Sequence, residues 1–359
     1  KGLVGVYACG ITAYALSHIG HARSAVAFDI LVRLLRYKGY EVTFVRNFTD
    51  VDDKIIKRAN DEGVSSTEIA ETYIKAYHED MDRLGVIRAD IEPRATEHIQ
   101  EMLNLTERLI ADGKAYATPS GDVYFRVRSF PGYGKLSGRT PDDLRSGARV
   151  VPGDEKEDPL DFALWKSAKP GEPYWESPWG KGRPGWHIEC SAMSRKYLGL
   201  PFDIHGGGAD LVFPHHENER AQSEAACGCT FARHWMHSGM LQIANEKTGE
   251  IEKMSKSLNN FLLLHEALDI VRPETLRMLM LQTHYRSPLV FGDARLAEAD
   301  AALTRIENTV KNLEWLLASA TAEGACALDA AAIEGATQTA RAAFVDAMDD
   351  DFNAPAALG

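Results

Sequence analysis

The chain has 359 residues, of which 45% are hydrophobic and 26% are charged, a composition typical of a globular protein with two or three domains. No apolar run approaches the roughly 20 residues needed to cross a bilayer, and the first residues lack the apolar core and cleavage site of a signal peptide. The net charge of −12 excludes a general attraction to nucleic acid, so any RNA contact requires a local basic face.

The cysteines form no recognisable disulfide framework. Their number is odd and their spacing is scattered, which favours a reducing cytoplasm over an oxidising compartment. The five positions are Cys9, Cys190, Cys227, Cys229 and Cys326. Cys227 and Cys229 are too close together for an ordinary zinc pair, and we assign them no role.

The first predicted unit is a strand, a helix and a second strand. Apolar residues alternate from Gly2 to Ala8, recur at helical spacing from Gly20 to Tyr40, and form another strand from Glu41 to Asn47. This βαβ order predicts an α/β fold with a Rossmann-like, doubly wound parallel sheet. Its ligand crevice is expected at the carboxyl ends of the strands.

The stretch Ser17 to Arg23, S-H-I-G-H-A-R, lies between the first strand and the helix. Unpaired N–H groups and the positive end of the helix dipole favour an anion at this place. Gly20 lets a phosphate or a flat ring approach the backbone, and His18 and His21 add imidazole donors. The alternative for this stretch alone is a pair of surface histidines near a helix start.

Three aspartates follow the second strand between Phe48 and Lys54. Acidic residues in a first helical turn usually cap the helix and complement its dipole, so we favour capping over cation binding for a helix ending near Glu62. Thr49, in the same stretch, is expected to have another role, because a hydroxyl at the carboxyl end of a strand faces the ligand crevice. Two further helices are predicted, at Ser66 to Leu84 and Ala95 to Asp112.

The α/β pattern is then interrupted by a predicted insertion. Alternation around a Pro-Ser-Gly turn predicts a hairpin from Tyr116 to Phe130, and the chain stays rich in glycine, proline and charge up to Pro184. Most of the tryptophans here are expected in the core of a small β-rich lobe. They are Trp165, Trp175, Trp179 and Trp186.

The pattern resumes with a helix from Trp186 to Leu198 and a strand from Phe202 to His205. Three glycines, Gly206 to Gly208, then precede Asp210. They indicate a backbone that approaches a ligand closely, with a merely flexible loop as the alternative.

The next helix is predicted to open at Phe213-Pro214, and it places His215 and Glu219 on one face because they are four residues apart. A strand is predicted from His234 to Ile243, after which a turn delivers Lys253 to Ser257 onto a loop. The rest is predicted to be helical, in the segments Leu263 to Tyr285 broken at Pro273, Asp293 to Ser319, and Ala327 to Leu358 interrupted from Asp349 to Pro355.

Four side chains from separate elements lie along the predicted crevice. Cys9 follows the first strand, Cys190 opens a later helix, and His215 and Glu219 share a helix face. Two thiolates, an imidazole and a carboxylate are a tetrahedral zinc set. Because no C-x-x-C pair nucleates the set, a buried structural cysteine at Cys190 and a helix cap at His215 stay open as alternatives.

Several stretches resemble, in order and spacing, the cysteinyl-tRNA synthetase family of class I aminoacyl-tRNA synthetases. They are C-G-x-T at Cys9 to Thr12 ahead of S-H-I-G-H-A-R, F-T-D-V-D-D-K-I-I-K-R-A at Phe48 to Ala59, G-W-H-I-E-C-S at Gly185 to Ser191, D-I-H-G-G-G-A-D-L-V-F-P-H-H-E-N-E at Asp203 to Glu219, and K-M-S-K-S-L-N-N-F at Lys253 to Phe261. The resemblance spans nearly the whole chain.

This resemblance implies a ligase that activates L-cysteine with ATP and Mg²⁺ and transfers it to tRNA(Cys). It implies one zinc ion, held by Cys9, Cys190, His215 and Glu219, which selects the cysteine thiolate without an editing step. Catalysis is assigned to His18, His21, Lys253 and Lys256, and ATP binding to His18, Gly20, His21, Gly208, Asp210 and Lys256. Substrate contacts are assigned to Gly10, Thr12, Thr49 and Trp186. The expected setting is a cytoplasmic monomer with no membrane partner.

The resemblance also implies how the chain is divided. Two halves of a catalytic domain, residues 1–114 and 185–261, flank a connective insertion at 115–184. A stem-contact region at 262–292 leads to a helical tRNA-binding domain on the anticodon side at 293–359, which we expect to be incomplete.

Ile11 departs from the family, whose members usually carry proline there. The cysteine:glucosaminyl-inositol ligases of mycothiol synthesis usually read C-G-I-T at this point, so such a ligase is one alternative. The carboxylate at Glu219 and the continuation L-N-N-F after Ser257 favour the synthetase. A catalytically inactive RNA-binding paralogue is a second alternative, against which the intact histidines, lysines and zinc ligands argue.

Overall fold

The structure is a computed structural model that describes residues 2–140, 155–244, 251–253, 262–319 and 330–359. The chain divides into two compact units. The first comprises Lys1–Leu16, Leu35–His78 and Arg88–His237, and the second comprises Ser17–Leu34, Glu79–Ile87 and Ser238–Gly359. Among the described residues, no helix is long and apolar enough to cross a membrane.

The elements alternate between strand and helix before and after an antiparallel segment. Up to that segment's end they are β1 (Leu3–Ala8), α1 (Ile19–Tyr37), β2 (Glu41–Arg46), α2 (Asp53–Glu62), α3 (Ser66–Arg83), α4 (Ile99–Ala111), β3 (Ala115–Ala117), β4 (Val123–Phe125), β5 (Phe162–Ser167) and β6 (Gly182–Pro184). They continue as α5 (Trp186–Leu198), β7 (Phe202–Gly208), α6 (Glu217–Cys227), β8 (Ala232–Ser238), β9 (Leu241–Ala244), β10 (Ile251–Lys253), α7 (Leu264–Ile270), α8 (Pro273–Leu281), β11 (Leu289–Phe291), α9 (Asp293–Ser319), α10 (Ala330–Asp349) and α11 (Ala354–Ala357).

A four-stranded sheet in the order β2-β1-β7-β8 lies at the centre of the first unit. Strand β1 is parallel to both neighbours, and its last residue, Ala8, pairs with Arg46 on one side and Gly206 on the other. The carboxyl ends of three strands therefore meet at one edge of the sheet. The predicted parallel α/β sheet is confirmed.

The predicted insertion contains an antiparallel sheet in the order β3-β4-β5-β6. Trp165 is fully buried in its core, and Trp175 and Trp179 pack partly buried against the same cluster. Trp186 lies elsewhere, because the chain leaves β6 at Pro184 and starts α5 at this residue. The expectation of a β-rich lobe is confirmed, but Trp186 is not part of it.

The aspartates after β2 have protein partners. Asp52 caps α2 and accepts a hydrogen bond from the Lys54 amide at 2.9 Å. Asp53 forms ion pairs with Lys166, at 2.7 Å, and with Arg183. Asp50 accepts hydrogen bonds from the amide and the hydroxyl of Thr96. The capping interpretation is confirmed at Asp52, and the described residues form no cluster of metal-ligating atoms there.

Three predicted elements differ from the structure. The strand expected from His234 to Ile243 is two strands, because the Ser287 carbonyl packs against Gly239 and leaves no room for a side chain there. The strand expected from Phe202 to His205 continues through the three glycines to Gly208, so the alternative of a flexible loop is wrong. The helix expected to open at Phe213-Pro214 starts as a π-helical turn at Val212–His216, which is kinked at Phe213 (φ −139°, ψ 132°), and it becomes the α-helix α6 at Glu217.

One disulfide joins Cys227 and Cys229 at the end of α6, whereas the sequence analysis assigned these residues no role. The two cysteines are only two residues apart in the sequence, so this disulfide does not connect distant elements of the fold. Cys9 and Cys190 are free thiols. Cys326 lies outside the described residues.

The second unit contains the predicted helical segment. Helix α9 has the predicted bounds, α8 begins at Pro273, and α10 and α11 are interrupted close to the predicted place. This unit also contains a small sheet in the order β10-β9-β11. Strands β9 and β10 come before the helices in the chain, and β11 lies between α8 and α9. Strand β9 is antiparallel to β10 and parallel to β11.

Candidate metal centre and nucleotide site

The structure brings the four residues of the predicted metal set together in the first unit. Cys9 directly follows β1, Cys190 lies in α5, and His215 and Glu219 flank the start of α6. The two Sγ atoms are 3.7 Å apart, and His215 Nε2 is 3.5 Å from the Cys9 sulfur and 3.7 Å from the Cys190 sulfur. Glu219 Oε1 is 3.5 Å from the Cys9 sulfur and 2.8 Å from His215 Nε2.

These distances match the edges of a tetrahedral zinc site. Bonds of about 2.3 Å to sulfur and 2.0–2.2 Å to nitrogen or oxygen place neighbouring ligand atoms about 3.3–3.8 Å apart. Four of the five edges that involve a sulfur atom lie between 3.5 and 3.7 Å, and the fifth, from Cys190 to Glu219, is within 4.8 Å. Only the His215–Glu219 edge is shorter, at hydrogen-bond distance. Both the donor atoms and their spacing therefore fit zinc.

Two further histidines adjoin the set, and the sequence analysis did not select them. His216 Nε2 is 3.3 Å from the Cys9 sulfur, and His205 Nε2 is 2.5 Å from Glu219 Oε2. With Cys9 and Glu219 they form a second group of possible ligands. We favour the first group, because two thiolates suit zinc better than one. His205 then orients Glu219, since its other ring nitrogen bonds the Tyr7 carbonyl at 3.0 Å.

Other side chains fix the orientation of the ligands. The Trp186 ring stacks on His215 with centroids 4.2 Å apart, and His187 Nδ1 lies 3.0 Å from His215 Nδ1. The Asn47 side-chain oxygen accepts hydrogen bonds from the Gly10 amide at 3.0 Å and from the Cys190 thiol at 3.6 Å. Contacts of this kind hold metal ligands in place.

Burial and mutual contact shift the pKa values of this cluster. Burial and the neighbouring Cys190 raise the pKa of Cys9, whereas at Cys190 hydrogen bonds from Cys9 and His215 overcome burial and lower it. Burial alone lowers the pKa of His215, but the Glu219 carboxylate and Cys190 raise it to about 10. Because the Glu219 carboxylate and the Cys190 thiol, whose pKa values are both lowered, share one buried space, a divalent cation is a fitting partner for them.

The residues predicted to contact the substrate adjoin the same centre. Thr12 and Thr49 pair as a parallel bridge, so the segment after Cys9 lies beside the segment after β2. The Thr49 hydroxyl donates a hydrogen bond to Glu189 Oε2 at 2.5 Å, and both residues are buried. Glu189 was not selected from the sequence. The available signal was an acidic residue next to Cys190 on a helix that packs into the core.

Gly10 is required by a close backbone approach. A Cβ atom at this position would lie 1.6 Å from the Asn47 carbonyl oxygen, so Gly10→Ala must push the two segments apart. We expect a loss of stability of about 1–3 kcal/mol and weaker zinc retention. Thermal unfolding and zinc content measure both effects. Gly2→Ala is the control, because its Cβ would meet nothing within 4 Å, and equal melting temperatures for both variants would contradict the prediction.

The histidines of the predicted nucleotide site lie together in the second unit, where α1 begins at Ile19. Their rings stack with centroids 3.8 Å apart. The amide of Gly20 donates to His18 Nδ1 at 3.1 Å, and the amide of His18 donates to His21 Nδ1 at 3.3 Å. Each ring therefore presents Nε2 to other partners.

The other described residues of the predicted nucleotide site lie on separate elements of the chain. Gly208 is the last residue of β7, and Asp210 is exposed in the turn after it. Lys253 is the last residue of β10. Lys256 lies outside the described residues.

Acid is expected to destabilise the protein through His21. Burial, with a contribution from His18, lowers the pKa of this residue from 6.5 to about 3. Between these values the unfolded chain binds a proton that the folded chain does not, so stability falls as pH falls, by up to about 1.4 kcal/mol per pH unit. In the His21→Asn variant, the melting temperature should therefore fall less between about pH 7 and pH 5 than it does in the wild type. His234→Asn, at an exposed histidine, should not, and equal slopes in both variants would contradict the prediction.

Similarity to known proteins is extensive. Residues 1–301 match the family of tRNA synthetases class I (C) catalytic domain. Cysteine–tRNA ligases from Oleidesulfovibrio alaskensis and Nitratidesulfovibrio vulgaris (strain Miyazaki F) are each 63% identical to this chain, and one from Lawsonia intracellularis is 57% identical. Each alignment covers 100% of this chain and 72% of the relative.

Solved structures with low sequence identity share the fold. Methionyl-tRNA synthetase from Mycobacterium tuberculosis, in complex with methionyl-adenylate, has a TM-score of 0.73 at 17% identity, over 100% of this chain and 81% of that one. LeuRS from Agrobacterium radiobacter K84, in a ternary complex, has a TM-score of 0.69 at 12% identity, over 99% and 79%. Both similarities concern architecture alone.

Proposed function

This chain belongs to the class I tRNA synthetases of the cysteine type, and from this premise we propose how its residues join L-cysteine to tRNA(Cys) with ATP. The observation that supports the proposal best is the set of Cys9, Cys190, His215 and Glu219, whose donor atoms lie within 4.8 Å of one another. Relatives up to 63% identical along the whole chain are cysteine–tRNA ligases, which disfavours both the mycothiol-pathway ligase and an inactive paralogue.

We assign zinc to this set because donor chemistry and spacing both fit. When bound, zinc would take the substrate sulfur as a ligand and favour a thiolate over a hydroxyl. The protein residues supply the geometry: His187 and Trp186 orient His215, and His205 orients Glu219. Such outer contacts fix the ring and carboxylate that a metal requires.

The nucleotide site is assigned to His18, Gly20, His21, Gly208, Asp210, Lys253 and Lys256, with Mg²⁺ on the phosphates. A carboxylate oxygen of cysteine attacks the α-phosphorus of ATP, a phosphorus–oxygen bond forms, and pyrophosphate leaves. Negative charge grows on the phosphate oxygens in this transition state. The stacked histidines at the start of α1 and the two lysines stabilise that charge, which accelerates the reaction rather than only binding ATP.

The tRNA acceptor end is assigned to the connective insertion at 115–184. One loop there carries two exposed cations, Lys135 and Arg139, which provide a local basic face in an acidic chain. The loop is held on α6: the Tyr133 hydroxyl donates to Asn218 at 2.6 Å, and Ser137 donates to buried Glu217 at 2.8 and 2.9 Å. Asn218 and Glu217 precede the ligand Glu219.

The other assignments follow from the family. The catalytic halves are residues 1–114 and 185–261, the stem-contact region is 262–292, and the helical region at 293–359 lies along the tRNA. We propose a cytoplasmic monomer.

Transfer to alternative acceptors tests the function. Zinc-loaded protein is incubated with ATP, cysteine and either tRNA(Cys) or glucosaminyl-inositol, and the acylated product is quantified. Only tRNA(Cys) is expected to accept cysteine, and transfer to the sugar alone would overturn the proposal. Exchange of pyrophosphate into ATP with cysteine is the control, because an inactive paralogue would show none.

A further inference from the structure

Two consecutive residues between α10 and α11 have a backbone conformation that L-amino acids rarely adopt. Asp351 and Phe352 have φ angles of 54° and 55°, and no other non-glycine residue in the described ranges has a positive φ. This left-handed region is sparsely populated, and a bulky residue such as phenylalanine is an outlier there. Such a conformation persists only where surrounding contacts impose it, and it is enriched at functional sites.

Both residues contact Tyr285, which is buried. The Tyr285 hydroxyl donates a hydrogen bond to Asp351 Oδ1 at 2.7 Å, and the Phe352 ring packs edge-on against the tyrosine ring with centroids 6.3 Å apart. Arg286 donates to both oxygen atoms of the Asp351 carboxylate and thereby lowers its pKa. Because 56% of the Arg286 side chain is exposed, this ion pair adds little by itself, and buried Tyr285 is the more important partner.

Tyr285 and Arg286 lie in a turn, residues 283–287, that connects α8 to β11. The same turn is bonded to the helix of the nucleotide site. The guanidinium group of Arg23 donates to two carbonyls of the turn, at 3.0 and 2.8 Å, and to a third carbonyl near the end of α8. Arg23 is buried and lies on α1, which begins at Ile19. The turn therefore fixes where α1 begins.

The start of α1 carries the imidazoles assigned to the nucleotide. His18 directly precedes the helix, and His21 and Arg23 follow within its first five residues. A displacement of about 1 Å at a reacting group can slow a reaction about 100-fold. Because the imidazoles are assigned to charge that develops only in the transition state, a displaced helix start lowers the rate of adenylation without weakening cysteine binding.

We infer that Asp351 is a positioning residue for adenylation, whose carboxylate holds the 283–287 turn and, through Arg23, the histidines at the start of α1. This inference rests on the proposed function, because it takes those histidines as part of the nucleotide site. It extends that function by giving a residue of the helical region, outside the assigned metal and substrate sites, a role in the chemical step.

The test uses Asp351→Asn, which removes the charge but keeps a side chain that tolerates the left-handed conformation. Single-turnover formation of cysteinyl-adenylate, without tRNA, should be about 10-fold slower. The dissociation constant of cysteine, measured by calorimetry on zinc-loaded protein, should change by less than about twofold. Tyr285→Phe, which removes only the hydroxyl, should cause a similar loss of rate, and the double variant should add less than about twofold to it. Asp350→Asn, at the neighbouring exposed aspartate, is the matched control.

A second pair of variants tests the path through α1. If Asp351 acts by positioning the histidines, Asp351→Asn should slow adenylation by only about threefold or less in a His21→Ala background, against about 10-fold in the wild type. Rates are expressed per active site from the amplitude of adenylate formation, so that a smaller folded fraction does not count as a slower reaction. Melting temperatures verify the fold, and Tyr285→Phe takes the place of Asp351→Asn if the latter does not fold.

The outcomes separate the inference from the proposed function. Unchanged adenylation rates in Asp351→Asn and Tyr285→Phe would overturn the inference alone. A loss of cysteine affinity as large as the loss of rate, or a full 10-fold loss in the His21→Ala background, would mean a general structural role and would also overturn it. A wild-type protein that does not exchange pyrophosphate into ATP with cysteine would overturn the proposed function itself.

Discussion

Replacing Lys256 or His21 with alanine is expected to slow adenylation of cysteine about 100-fold or more, which corresponds to about 2.7 kcal/mol of transition-state stabilisation. The reason is that both side chains are assigned to charge that develops on the phosphates only as the α-phosphorus is attacked. Affinity for cysteine should stay nearly unchanged, because the sulfur and amino group of the substrate are bound by other residues.

Single-turnover formation of the adenylate measures the rate, and calorimetry with cysteine measures the affinity. Lys57→Ala and His234→Ala are the controls, because they remove an exposed lysine and an exposed histidine. His21 stacks on His18, so the melting temperature of His21→Ala is measured as well. A loss of cysteine affinity as large as the loss of rate would contradict the nucleotide-site assignment.

Cys9→Ser and Cys190→Ser are expected to lose zinc and to raise the KM for cysteine about 100-fold or more, while the KM for ATP changes little. A serine hydroxyl is a poor ligand for zinc, because it is hard to deprotonate and harder than a thiolate. The Sγ atoms of both cysteines lie within 3.7 Å of His215 Nε2, so either substitution removes one of the four ligands of the set.

Metal analysis and steady-state kinetics with each substrate test this prediction. The matched control is Cys227→Ser combined with Cys229→Ser, which removes the two disulfide-bonded cysteines and should leave zinc and both KM values close to wild type. Retention of zinc by Cys190→Ser, with loss of zinc by Cys9→Ser, would favour the alternative group of Cys9, His205, His216 and Glu219.

The same metal set explains why no editing step is expected. Serine differs from cysteine by one atom, and a pocket that relies on shape separates such side chains poorly. A preference of about 10⁴ requires only about 5.5 kcal/mol, a difference that one metal–sulfur bond can supply. The insertion that interrupts the catalytic halves is a small antiparallel sheet, and the described part of it offers no nucleophile set for hydrolysis.

The periodicity of apolar residues and the order of the predicted elements were enough to predict which residues lie at the carboxyl edge of the parallel sheet. Cys9 and Asn47 each follow a strand, and parallel pairing of β1 with β2 and β7 brings the ends of those strands to one edge. The rule that the carboxyl ends of parallel strands meet at one edge was therefore enough to expect Cys9 near Cys190 and His215. The motif resemblance then assigned chemical roles that spacing alone left open.

Contacts between distant side chains were beyond such rules. Glu189 bonds Thr49 across 140 residues, and its place beside Cys190 on a helix does not by itself identify this partner. His205 lies in a strand that reads as core, and its contact with Glu219 depends on where α6 begins. The break at Gly239 depends on Ser287, which lies far along the chain. Each of these features needs tertiary structure before it becomes visible.

X-ray absorption at the zinc edge tests the central claim most directly. The account predicts two sulfur ligands in the zinc-loaded enzyme, from Cys9 and Cys190, and a third sulfur when L-cysteine is added. L-Serine should add none, because its hydroxyl does not replace the thiolate. A spectrum that is unchanged by cysteine would mean that the metal is structural, and it would contradict selection of cysteine by the metal.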